Sequence, residues 1–362
     1  MTHASCAHSV TARSLARTPL WPARPQGGII DRMFDPARMA YAWRGQHDAD
    51  PGSKLSAVQG QWDEAERAAL VALLRTRPAK MTWRDITEEV AARGSALALW
   101  HEHNPATLFS PSEATTNSLA EAEQDIAAWQ ESRLGFLTFL DQEYPAQLRE
   151  IHEIPPVLFH RGSLVPGEIG MSVVGSRQAS GRGLDIARAI AQGLVDRNIT
   201  VISGLAKGID TAAHTQALEA RGRTVAVIGT GILKSYPPEN RDLQSRIADT
   251  GLVLSQFWPD APPSKHSFPM RNAVMSGYGR ATIVVEAGEH SGARIQARQA
   301  VAHGRPVILT DLVVQANRWP ADLIGRPGVH VAHGTAEVMA IVEDIIAASD
   351  EVDELLAFAL QR

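Results

Sequence analysis

The sequence predicts an α/β protein: a doubly wound, Rossmann-like parallel sheet of about seven strands, preceded by a small all-α domain. Three observations lead there. From Gly170 onward, short continuous apolar runs alternate with segments of helical spacing, the pattern of a parallel sheet covered on both faces. Between Gln61 and Gly135 the apolar residues recur at helical spacing only. The chain has 362 residues, room for roughly two domains.

The elements follow in chain order. Residues 1–55 read as disordered. Pro19, Pro22 and Pro25 with Gly27 and Gly28, then Asp50-Pro51-Gly52-Ser53, break any period. Ala65, Ala69, Leu70, Leu73 and Leu74 form one helical stripe. Thr82 is placed as the N-cap of a second helix carrying Ile86 and Val90, closed by Gly94. Ala120 to Arg133 reads as a third, with Ile126 and Trp129 inward. The strand runs are 171–174, 199–202, 224–228, 252–254, 281–285, 306–309 and 329–331. The resulting boundaries are 1–55 disordered, 56–135 helical, 136–348 Rossmann-like, and 349–362 an acidic helix or tail.

Net charge is -5, which by itself argues against a nucleic-acid partner. Its distribution does not. Residues 151–315 hold 17 Lys+Arg against 13 Asp+Glu, a balance of +4, and the rest of the chain holds 18 against 27, a balance of -9. A basic middle in an acidic chain is what a local anion site produces. Cys6 is the single cysteine, which excludes intrachain disulfides and cysteine-based zinc sites. No apolar run reaches the ~18 residues of a membrane span. The N-terminus lacks the apolar stretch and cleavage site of a signal peptide, so a cytoplasmic location is expected.

In doubly wound sheets ligands bind beyond the carboxyl ends of the strands. The residues there are Gly175, Ser176 and Arg177; Ser203, Gly204, Lys207 and Gly208; Gly229, Gly231, Lys234, Tyr236 and Asn240; Phe268, Arg271 and Asn272; and Ser291 with Gly292. Glycines allow close backbone approach, helix N-termini favour anions, and arginine and lysine add charge. Together these loops predict a pocket for a phosphate-bearing ligand, with Tyr236 and Phe268 available to stack on bases. A P-loop and a Gly-x-Gly-x-x-Gly dinucleotide turn are both absent from the sequence, so no cofactor is expected. Asp210 and His214, four apart on one helix, are spaced for an acid/base pair. The structural reading is preferred: Asp210 capping its helix and His214 bonding locally. His290 with Glu286 and Glu289 lacks a third ligand at metal spacing, so no metal is expected.

These motifs, in this order, resemble the DNA-processing protein A family (DprA, also called Smf). They are Gly175-Ser176-Arg177, the run Ser203 to Asp210 with His214, Gly229-Thr230-Gly231 with Tyr236 to Asn240, Phe268 to Asn272 with Ser276-Gly277, and Val285-Glu286-Ala287 with Ser291-Gly292. Upstream, Tyr144 to Ile151, Pro155 to Phe159 and Gly162 also match. The likeness covers roughly residues 135–309.

The resemblance implies a non-catalytic single-stranded-DNA-binding protein of natural transformation and recombination, which loads the RecA recombinase and forms homodimers through its Rossmann-like domain. It assigns DNA phosphates to Arg177, Lys207, Lys234 and Arg271. It also suggests that the helical region is sterile-alpha-motif-like. The chain departs from the pattern at Ala293 to Ala297, at Thr310-Asp311, and in leaving no room for a C-terminal winged helix. It therefore looks like a divergent member. The competing expectation is a nucleotide-binding sensor or phosphoribohydrolase-like enzyme on a related Rossmann-like domain. Against it, the Pro-Gly-Gly-x-Gly-Thr motif of the cleaving enzymes is missing.

Overall fold

The computed structural model describes residues 63–105 and 113–360, with backbone alone at 113–116 and 351–360. The expected disordered segment 1–55 and Cys6 lie outside these residues.

The helical region begins with α1 (Glu64–Thr76), α2 (Trp83–Arg93), α3 (Ala96–His103) and α4 (Glu113–Glu131). Their ends are written in the sequence. The Asp63 carboxylate accepts from the Glu66 amide to start α1. Thr82 and Asp85 form a reciprocal capping box on α2, and Gly94 closes it at φ 71°, a left-handed position that suits glycine. The helix α3 was not anticipated. Its cap is Ser95, whose hydroxyl donates to Glu66 at 2.7 Å and so ties α3 to α1.

The sheet has nine strands: β1 (Gly135–Thr138), β2 (Val157–Gly162), β3 (Gly170–Gly175), β4 (Thr200–Ser203), β5 (Thr224–Val227), β6 (Leu252–Ser255), β7 (Ala281–Glu286), β8 (Val307–Thr310) and β9 (Val329–Ala332). Their order is β1-β2-β6-β5-β4-β3-β7-β8-β9. The seven strands β3–β9 pair in parallel and coincide with the seven predicted runs. β1 and β2 extend the sheet antiparallel at the β6 edge. The direction of chain travel reverses between β3 and β7, which makes this the topological switch point.

Helices alternate with the parallel strands: α5 (Gly181–Val195), α6 (Ile209–Glu219), α7 (Arg241–Thr250), α8 (Ser267–Tyr278), α9 (Gly292–Ala302), α10 (Asp311–Ala316) and α11 (Thr335–Leu360). Successive strand residues face opposite sides. Met171, Val173, Val201 and Ile283 pack with Ile190, Leu194, Ala213 and Val342 on one face. Val174, Ile202, Val225 and Val284 pack with Val274, Met275 and Ala297 on the other. The second core runs on without a break into Leu70, Leu73, Ile86 and Trp100 of the helical region. Trp258, after β6, is the joint. Its ring lies 5.6 Å from Trp83, 6.1 Å from Trp129 and 5.1 Å from the Arg75 guanidinium carbon. Among the described residues no helix is long and apolar enough to cross a membrane.

Candidate nucleic-acid interface

The loops beyond β3, β4 and β5 and the start of α8 are stitched together over the carboxyl end of the sheet. The Ile209 amide donates to the Ser176 carbonyl at 3.2 Å. Gly208, at φ 79°, lies so close that a Cβ would come within 2.2 Å of that same oxygen, so only glycine fits there. The Asn240 side chain donates to the Leu205 carbonyl and to Thr211 Oγ1, both at 2.9 Å. The third loop is thereby fixed to the second.

On this scaffold Arg177, Lys207 and Lys234 are all exposed. The Arg177 guanidinium carbon stands 5.5 Å from the centre of the Phe268 ring. The Tyr236 ring lies 5.5 Å from Phe268 on its other contact, and Tyr236 is 41% exposed. A cation and two aromatic rings thus form a short continuous platform. Lys207 Nζ donates to Glu239 at 2.6 Å. Arg177 and Lys234 form no ion pair among the described residues.

Arg271 does not share this exposure. It is 5% exposed, and its guanidinium donates to the carbonyls of Gly204 and Val227 and to the Asn272 side chain. A Cβ on Gly204 would overlap it at 1.8 Å. The expected phosphate contact is therefore corrected: Arg271 binds strand ends together and does not face solvent. Burial lowers its pKa, and burial pushes the nearby Asp210 carboxyl up, opposed by the charge of Arg271.

Asp210 is not the helix cap that was expected. Gly208 occupies that position, and the Asp210 carboxylate accepts from the Gly204 and Ala206 amides, shaping the loop before α6. His214 bonds to Thr224 on β5 at 2.7 Å instead of locally. Burial pushes its pKa down to about 3. Ser203 is fully buried, and its hydroxyl donates to Val173 on β3. Gly231 packs against the Trp258 and Pro259 carbonyls. Gly229 packs on the Phe268 ring, beneath the platform. Gly175 lies where β3 meets Glu286 of β7. Ser291 caps α9, its amide donating to the Gly288 carbonyl and its hydroxyl accepting from the Ala293 amide, and Gly292 is the first residue of that helix. These two stand outside the joined loops.

The switch-point crevice carries a residue whose part the motifs did not show. The Glu286 carboxylate accepts from the Ser180 amide at 3.1 Å and the Ser180 hydroxyl at 2.7 Å. Ser180 caps α5. The anion-attracting end of α5 is thus filled by the protein's own carboxylate. No group of three or more His, Cys, Asp or Glu is placed to hold a metal among the described residues.

The sequence profile of the DNA recombination-mediator protein A family matches residues 135–348. DNA processing protein DprA of Streptococcus pneumoniae is 43% identical over 171 residues, 47% of this chain and 60% of that protein. The chain thus spans about three fifths of this curated relative's length. An X-ray structure of DprA from the same species superposes with a TM-score of 0.59 at 30% identity, covering 76% of this chain and 95% of that one. A structure of DNA processing protein A from Helicobacter pylori, described for its single-stranded DNA binding mode, shares the fold at 20% identity and a TM-score of 0.52. It covers 59% of this chain and 96% of that one.

Proposed function

This chain belongs to the DNA recombination-mediator protein A family, and on that premise we propose that it binds single-stranded DNA across the loops beyond β3–β5. Arg177, Lys207 and Lys234 engage phosphates, and Phe268 and Tyr236 stack on bases. A role in DNA processing during transformation or recombination, loading of the RecA recombinase, homodimerisation through the sheet domain and a cytoplasmic location belong to the same proposal. They rest on family membership.

The observation that carries the reading is the platform of exposed Arg177 and Tyr236 with half-buried Phe268 between them, beside a switch point where the Glu286 carboxylate already bonds the Ser180 cap of α5. A mononucleotide on a doubly wound sheet needs that switch point and the end of its helix dipole. An extended polyanion needs only a charged rim and π-faces. The arrangement favours the strand over the nucleotide. It also argues against an enzyme, because the Glu286 carboxylate at the end of β7 is committed to Ser180. Asp210 and His214 are buried under the loops.

A gel shift comparing an oligothymidylate with a duplex of equal length, with mononucleotides as competitors, tests the reading. We expect the single strand to bind more tightly and mononucleotides to compete poorly. Equal or tighter duplex binding, or release of base or phosphate from any nucleotide, overturns it.

A further inference from the structure

We propose that Glu239 is a built-in counter-ion of the cleft: it holds Lys207 when no nucleic acid is bound, and a phosphate must displace it to reach the lysine. This rests on the single-strand reading and adds a residue that sets its affinity.

The pair is built, not incidental. Lys207 lies in the loop after β4 and Glu239 in the 3₁₀ turn Pro238–Asn240 after β5. The two side chains meet at 2.6 Å, 56% and 61% exposed. The neighbouring Asn240, buried, is fastened to Leu205 and Thr211 across the same two loops. That fastening fixes how Glu239 is offered to Lys207. The hydrogen bond from Lys207 holds the Glu239 carboxyl below the ordinary carboxylate range, so it is ionised wherever the protein works. No other carboxylate forms an ion pair with a rim cation among the described residues.

A carboxylate at this place works against a polyanion in two ways. It repels the incoming phosphate, and it already neutralises the lysine that the phosphate would use. Affinity for nucleic acid comes largely from ions released as phosphates are neutralised, with a slope of about -0.7 per contact for single strands. A lysine that arrives with its own carboxylate releases little. An exposed ion pair is weak, so the exchange is possible, and Glu239 tunes the cleft without closing it. The same charge disfavours ligands bearing one phosphate more than long strands, which recover the loss at other contacts.

The test is a salt titration of binding to a fluorescent oligothymidylate, using the full chain with Glu239→Gln, Lys207→Ala and the double variant. Glu239→Gln is expected to bind roughly three- to tenfold more tightly at low salt, with a slope steeper by about 0.7. In the Lys207→Ala background the same substitution is expected to gain clearly less, since the lysine it would free is gone. Thermal unfolding of Glu239→Gln should match the unsubstituted chain, because the side chain is exposed. If the unsubstituted chain binds, Lys207→Ala weakens binding and Glu239→Gln is no tighter, this inference alone is overturned. If none of the four proteins binds, the single-strand reading falls and takes the inference with it.

Discussion

At the amino ends of β3, β4 and β5, Glu168 accepts hydrogen bonds from Thr200, Tyr278 and Arg223, with its side chain 2% exposed. At the carboxyl ends of the same strands, Arg177 and Lys234 reach solvent without a carboxylate. A groove of about 680 Å³ opens at the amino ends, lined by Val165, Asn198, Arg221 and Arg223 among others. An open groove thus marks one end of the sheet and unspent charge the other. Where opposite charges satisfy one another, burial makes them structural. Where cations are left over beside aromatic faces, the surface is made for an anion. Arg271 shows that the distinction lies in burial and not in position, since it stands among the upper loops yet belongs with the paired groups below.

Substitutions separate the two kinds of group. Arg271→Ala has the largest expected effect. It leaves Asp210 uncompensated and two carbonyls unpaired, at about 3–5 kcal/mol of stability, read by chemical denaturation. Arg271→Lys is expected to restore little, because one ammonium cannot span Gly204, Val227 and Asn272 as the fork does. Glu168→Ala at the other end is expected to lose about 3 kcal/mol. DNA affinity of the molecules that remain folded should be unchanged. A loss of affinity there with stability intact would break the comparison.

Acid sharpens it. His214 ordinarily titrates near 6.5 but in the folded chain only at about 3. Between these values the unfolded chain holds the proton and the folded chain does not. Stability should therefore fall as pH drops below about 6.5, by up to about 1.4 kcal/mol per pH unit. His214→Asn should flatten that limb of a stability-against-pH curve. Arg177→Ala and Lys207→Ala have the smallest expected effect on the fold, none in thermal unfolding. Arg177→Ala should weaken single-strand binding about tenfold and flatten the salt slope by about 0.7, and Lys207→Ala, whose lysine is already paired with Glu239, should weaken binding less and flatten the slope by less.

The parallel sheet was legible because seven buried strands read as continuous apolar runs. The α2 ends were legible because Thr82, Asp85 and Gly94 are chemically specific caps. β1 and β2 were not counted as strands. β1 is only half-buried at Gly135 and Phe136, and β2 passes from Val157-Leu158-Phe159 to exposed Arg161 and Gly162, so neither reads as a continuous apolar run. Within the site, Arg177 and Arg271 look alike in sequence: each is a basic residue in a motif beyond a strand. Only tertiary packing, with Gly204 making room for the guanidinium, buries one of them. The pairings of Glu286 and Glu239 were hidden for a similar reason. Their partners, Ser180 and Lys207, are 106 and 32 residues away, and no local pattern announces such a pairing. Trp258 belongs to no periodic pattern in sequence and is a hub in space.

The proposed place for nucleic acid is the Arg177–Phe268–Tyr236 platform at the carboxyl end of the sheet. Photocrosslinking of a thymidine-analogue single strand to the full chain, followed by peptide mapping, tests this most directly. Adducts are expected on Tyr236 or Phe268, and they should diminish in Arg177→Ala. Adducts confined to the groove at residues 195–200 and 220–223, with none on Tyr236 or Phe268, would contradict it.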